Sequence, residues 1–95
     1  MNTSFTSLYE QWILGEKRSQ QLKRQLSDSY RTAWRSGDEH DRYLALHFIF
    51  DQRDPAGFDL IVEGMHSDDP ALARGAAAIA GNLVERGLFL NRNVA

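Results

Sequence analysis

Histidine is the side chain that most readily holds a proton or a metal ion near neutral pH, so the three histidines of this sequence come first. His47 and Asp51 stand four residues apart, His66 stands beside Asp68 and Asp69, and His40 lies inside the acidic run Asp38-Glu39-His40-Asp41. A metal centre or a general base needs several such groups converging on one point, and helical zinc sites show it in spacings such as HExxH. No HExxH, HxxxH or paired histidine spacing occurs here. His47 therefore reads as a partly buried packing residue and His66 as a turn residue. The 38–41 run reads as a helix start, with an acidic contact patch as the other reading. The chain has no cysteine, which removes disulfides, thiolate zinc sites and a cysteine nucleophile. Its serines sit in no nucleophile elbow, and no glycine-rich phosphate loop is present. The expectation is a non-enzymatic protein with no catalytic residue, cofactor or metal.

Binding chemistry is better represented. Lys17, Arg24 and Arg31 recur every seven residues, Arg35 extends the row, and Gln20 and Gln21 lie close by. Cations about two helical turns apart can track phosphates. They can equally form a solvated face, or dock on the acids of residues 38–69. The formal net charge of −2 conceals an asymmetry: residues 1–36 sum to +3 and residues 37–95 to −5. Such halves attract each other within a chain or between chains, or face different partners. The overall acidity weakens the case for nucleic acid. Tyr9, Trp12, Tyr30 and Trp34 are anchors of the kind enriched at protein interfaces, and at helical spacing they are also the kind that fill a core.

Helical signals dominate the segments that must position these residues. Leu8, Tyr9, Trp12 and Ile13 share one face of a first helix, which Ser4, Thr6 or Ser7 can cap. Gly15 interrupts it, and the stripe resumes at Leu22, Leu26, Tyr30, Ala33 and Trp34. One long helix over 5–35 and two helices broken near Gly15 both fit this pattern. Ser36-Gly37-Asp38 punctuates the chain: Gly37 suits the left-handed position after a helix and Asp38 caps the next, over 38–53. Asp54-Pro55 and Asp69-Pro70 each open a helix, because proline gives up only an N–H that would lack a partner there. The second of these helices runs to Arg86 and closes at Gly87. The tail Leu88-Phe89-Leu90 is apolar and is expected to be covered.

The run Asp54-Pro55 … Leu60-Ile61 … Met65 … Asp68-Asp69-Pro70 … Leu72-Ala73-Arg74 … Ala76-Ala77 … Ala80-Gly81-Asn82-Leu83 resembles one short HEAT-type repeat. A shift of 32 residues places Arg42 on Arg74, Leu44 on Ala76 and Ala45 on Ala77, and carries Leu26 and Tyr30 onto Phe58 and Val62. The likeness thus extends over residues 22–86, with Phe48, Ile49 and Phe50 standing where the later pair has small residues. It implies a scaffold of antiparallel helix pairs that binds other macromolecules and carries no catalytic residues. Repeats of this kind bury their faces only against neighbours, and about three are normally needed for stability. Either residues 5–15 cap one end of the stack or the protein pairs with a copy of itself, and the aromatic N-terminal face and the apolar tail favour a homodimer.

The resulting expectation is an all-α single domain of four or five antiparallel helices, stacked as a short HEAT-like solenoid or an irregular bundle. Its parts are an N-terminal helix over 1–21, a degenerate pair over 22–53, a HEAT-like pair over 54–87 and a tail over 88–95. No apolar run approaches the ~20 residues that a membrane span needs. The first residues carry no secretory signal, and a small cytoplasmic protein of bacterial or phage type is expected. Its role is expected to be protein binding, as adaptors, inhibitors and immunity proteins do, through Tyr9, Trp12, Lys17, Arg24, Arg31, Trp34 and Arg35. Nucleic-acid binding through the Lys17/Arg24/Arg31/Arg35 row is the alternative.

Overall fold

The computed structural model describes residues 4–87 of the 95-residue chain. Within them every regular element is helical: α1 (Phe5–Leu14), α2 (Gln20–Ser36), α3 (Glu39–Gln52), a 3-10 turn (Pro55–Gly57), α4 (Phe58–Met65) and α5 (Pro70–Glu85). The all-α fold class is as the sequence indicates. The chain divides into two compact units between Phe48 and Ile49, inside α3.

In the first unit Ser4 caps α1, its hydroxyl accepting from the Ser7 N–H at 3.1 Å. The helix ends where the sequence left two readings open, and the structure takes the break. Glu16 N–H donates to Ile13 O at 2.9 Å and Lys17 N–H to Trp12 O at 2.8 Å. This is the Schellman pattern of a closing helix. Gly15 does not supply its left-handed residue; Glu16 and Lys17 do, each at φ 59°. Ser19 then caps α2 through a 3.1 Å bond from Leu22 N–H, so α2 begins two residues before its apolar stripe.

The next junction also departs from expectation. Gly37 is extended (φ −80°, ψ 171°) rather than left-handed. Glycine is required there for space: a Cβ would overlap Ala33 O and lie 2.6 Å from Asp41 Cβ. Asp38 does cap α3, accepting from Asp41 N–H at 2.8 Å.

Phe5, Tyr9, Trp12, Leu26, Ala33, Ala45 and Phe48 form the core of this unit, with Leu8, Leu22, Tyr30 and Leu44 packed against it. Phe48 is its hub. Its ring lies edge-on to Phe5 and Trp12, with centroids 6.2 and 5.4 Å away, and 6.0 Å from Tyr30. The side of α1 turned inward therefore carries Phe5, Leu8, Tyr9 and Trp12, and of the 8-9-12-13 face drawn from periodicity only Ile13 turns out. Phe5 adds an aromatic ring that pulls the face round. Asp41 ties the first turn of α1 to that of α3, accepting from the Thr6 backbone N–H at 3.1 Å and the Thr6 hydroxyl at 2.6 Å.

The second unit is a packed pair of helices, α4 and α5. Asp54 accepts from Ala56 N–H at 3.0 Å, but the helix it opens is the 3-10 turn, and α4 proper starts at Phe58. Asp69 caps α5 as expected, accepting from Ala71 N–H at 3.0 Å. Gly87 follows α5 at φ 72°, the left-handed conformation that glycine tolerates. Phe58, Leu60 and Ile61 of α4 and Leu72, Ala76, Ile79, Ala80 and Leu83 of α5 are buried. The expectation for the 88–95 tail falls outside the described residues.

Candidate functional site

The exposed apolar surface of the first unit gathers at the end of α1. Once Phe5, Tyr9 and Trp12 face inward, Ile13 and Leu14 fall on the flank of the helix. They remain 42% and 83% exposed. Leu14 is also the last residue of α1, so the Gly15 turn carries the chain away and leaves its side chain projecting. Across from them the first two turns of α3 present His40 and Leu44. Together Tyr9, Glu10, Ile13, Leu14, His40 and Leu44 line an open groove of about 390 Å³. Ile13, Leu14 and Leu44 supply aliphatic surface, Tyr9 a phenol ring, and Glu10 and His40 a carboxylate and an imidazole. Beside it on α3, Tyr43 is 41% exposed and its ring meets the His47 imidazole edge-on at 4.6 Å. An apolar recess with a few polar groups on its lining can bind by desolvation and be oriented by hydrogen bonds.

The residues expected to bind a partner are dispersed by the fold. Trp12 and Trp34 are buried, 2% and 6% exposed, which favours the core reading of the two left open for them and gives a partner almost no area. Tyr9 is also in the core, at 9% exposure, though its edge reaches the groove. The seven-residue row is broken at its first member. Lys17 lies in the turn before α2, with its ammonium 5.6 Å from the centre of the Trp12 ring. Arg24, Arg31 and Arg35 do lie exposed on α2. Asp28 falls between them, four residues after Arg24 and three before Arg31, so the face is not purely cationic. Arg31 also rests its guanidinium 5.7 Å from the Tyr30 ring centre.

Of the histidines, His47 is half-buried, and His66 ends α4 with its Nδ1 2.9 Å from Val62 O. Among the described residues, no group of three or more histidine, aspartate or glutamate side chains is placed to hold a metal ion. Among the described residues, two buried side-chain nitrogens lack a hydrogen-bond partner, Trp12 Nε1 and Arg42 Nε.

Sequence reasoning missed Glu10, Leu14, His40 and Leu44 as members of one surface. The available signal was the count of apolar residues on α1, where Phe5, Leu8, Tyr9, Trp12, Ile13 and Leu14 are too many for one inward stripe. Nothing in that count names α3 as the other wall. No described helix is long and apolar enough to cross a membrane. No protein-family model, curated protein or solved structure matches the chain.

Proposed function

We propose that this chain is a non-enzymatic protein-binding module that engages its partner through the groove between α1 and α3. The observation that carries the reading is Leu14, an aliphatic side chain left 83% exposed beside Ile13 and an apolar recess. Exposed apolar surface rimmed by polar groups is characteristic of interaction sites. The resemblance of residues 54–86 to a HEAT-type helix pair supports a scaffold role. It agrees with the Asp69-Pro70 start and the Gly87 stop of α5. The arginines of α2 are the weaker surface, since Lys17 leaves their row and Asp28 enters it.

Selection of amphipathic peptides from a displayed library, followed by NMR titration of the best binder into the labelled protein, tests the reading. The expected result is amide shifts concentrated at Ile13, Leu14, His40 and Leu44. Shifts confined to Arg24, Arg31 and Arg35, or to α5, would assign binding to another face and refute it.

A further inference from the structure

We propose that α1 exchanges between two copies of the chain. The turn over 15–19 straightens, α1 and α2 join into one helix over 5–36, and each α1 takes its usual place on the core of the other copy. Strain in the turn carries the inference. Glu16 and Lys17 both stand at φ 59°. The left-handed region crowds the Cβ of any residue but glycine, and the residues that enter it normally do so singly. Short hinges under strain favour exchange, because the open form remakes the contacts of the closed one and sheds the strain.

The sequence of the turn suits the open form. Glu16, Lys17 and Arg18 are good helix formers, 15–19 contain no proline, and no like charges there fall three or four residues apart. Gly15, at φ −85°, has room for a side chain, since an added Cβ meets only Gln11 O at 3.5 Å and Trp12 O at 3.8 Å. The joined helix is about 48 Å long at a rise of about 1.5 Å per residue, and it carries α1 away from its own core. It also returns Lys17 to the helix face of Arg24 and Arg31. In the exchanged pair Phe5, Tyr9 and Trp12 of one copy pack with Phe48 of the second, and Thr6 bonds to Asp41 of the second, as they do within one chain. Each groove then takes Tyr9, Glu10 and Ile13 from one chain and His40 and Leu44 from the other. The exchange does not depend on a third protein using that groove.

Refolding from urea tests this, with far-UV circular dichroism as a check on folding. A short linker holds α1 against its own core at an effective concentration of about 10⁻³ M, so the chain would be refolded at roughly 10⁻⁵ to 10⁻³ M and its mass read by sedimentation velocity. The wild type should give a dimer fraction that grows over this range. Gly15→Ala favours the continuous helix and should lower the dimer dissociation constant about tenfold or more. The double variant Glu16→Gly/Lys17→Gly relieves the closed turn and weakens the helix, and should raise that constant about tenfold or more. The chain has no cysteine, so Glu10→Cys/His40→Cys places two unique thiols on the lining of one groove, for joining by a short bis-maleimide. On a denaturing gel the link should join two chains in the dimer fraction and stay within one chain in the monomer. A dimer linked only within each chain is a side-by-side pair and would overturn the proposal. A wild type that stays monomeric after refolding at the highest concentration would overturn it too.

Discussion

Replacing Trp12 separates a core residue from a surface anchor, and the structure fixes the size of the effect. The indole is 2% exposed, packed against Phe48 at 5.4 Å and Tyr9 at 5.9 Å, with Lys17 over its face. Trp12→Ala removes this packing and leaves a void, a change that costs about 3–5 kcal/mol. A chain of this length has a total stability of roughly 5–14 kcal/mol. With a urea m-value on the order of 1.2 kcal/mol/M, the unfolding midpoint should fall by about 2.5–4 M. Trp12→Phe is the informative comparison. It keeps a ring against Phe48 and loses a few buried atoms, at about 1–2 kcal/mol. It also removes Nε1, a buried donor with no partner, whose desolvation costs about 1–3 kcal/mol. These two effects oppose each other, so Trp12→Phe should lie within about 1 kcal/mol of the wild type. Urea titrations read by circular dichroism and by the remaining fluorophore, Trp34, measure both variants. If Trp12→Phe proves as costly as Trp12→Ala, Nε1 makes a bond that the packing does not show, and the reasoning fails. If Trp12→Ala costs less than about 1 kcal/mol, Trp12 is not a core residue.

Four further perturbations test other parts of the fold. Gly37→Ala forces a methyl group against Ala33 O and Asp41 and should destabilise by about 1–3 kcal/mol. Gly81→Ala, where an added methyl meets nothing within 4 Å, should instead stabilise α5 by about 0.5–1 kcal/mol; paired thermal melts show whether the signs differ. Glu16→Gly relieves a left-handed backbone at φ 59° and should raise stability by about 0.5–1 kcal/mol, and a loss in the same melts would contradict the turn geometry. Asp41→Ala removes the acceptor of both Thr6 bonds and should cost about 1.5–3 kcal/mol. Hydrogen exchange at the Thr6 amide should rise in that variant, and an unchanged rate would show that the α1–α3 tie is not made in solution.

What could be read from the sequence divides by range. Asp38, Asp69 and Gly87 were legible because a cap or a stop depends on a residue and its neighbours within one turn. Gly37 was legible as punctuation but not as a conformation. Its need for glycine comes from the close approach of Ala33 and Asp41, which only the folded junction reveals. The Gly15 break stayed ambiguous because the left-handed positions fall on Glu16 and Lys17, residues that carry no such preference. The face of α1 was misdrawn by a fraction of a turn. Periodicity could not weigh Phe5 against Ile13, whereas three rings around Phe48 do. That small rotation moved the candidate site. Tyr9 and Trp12 stayed inside, Ile13 turned outward beside Leu14, and the opposite wall came from His40 and Leu44, some 30 residues further along the chain. The place of Lys17 was hidden for a related reason: a seven-residue spacing defines one face only within a continuous helix, and Lys17 lies in the 15–19 break between α1 and α2.

The binding surface itself is tested most directly by a single competition. A peptide selected on the wild-type protein would be measured by fluorescence anisotropy against Leu14→Glu and against the triple variant Arg24→Ala/Arg31→Ala/Arg35→Ala. The expected result is loss of binding in Leu14→Glu and retention within about threefold in the triple variant, since losing one buried aliphatic anchor outweighs losing solvated charges. Binding that survives Leu14→Glu and disappears with the arginines would contradict the assignment of function to the α1–α3 groove.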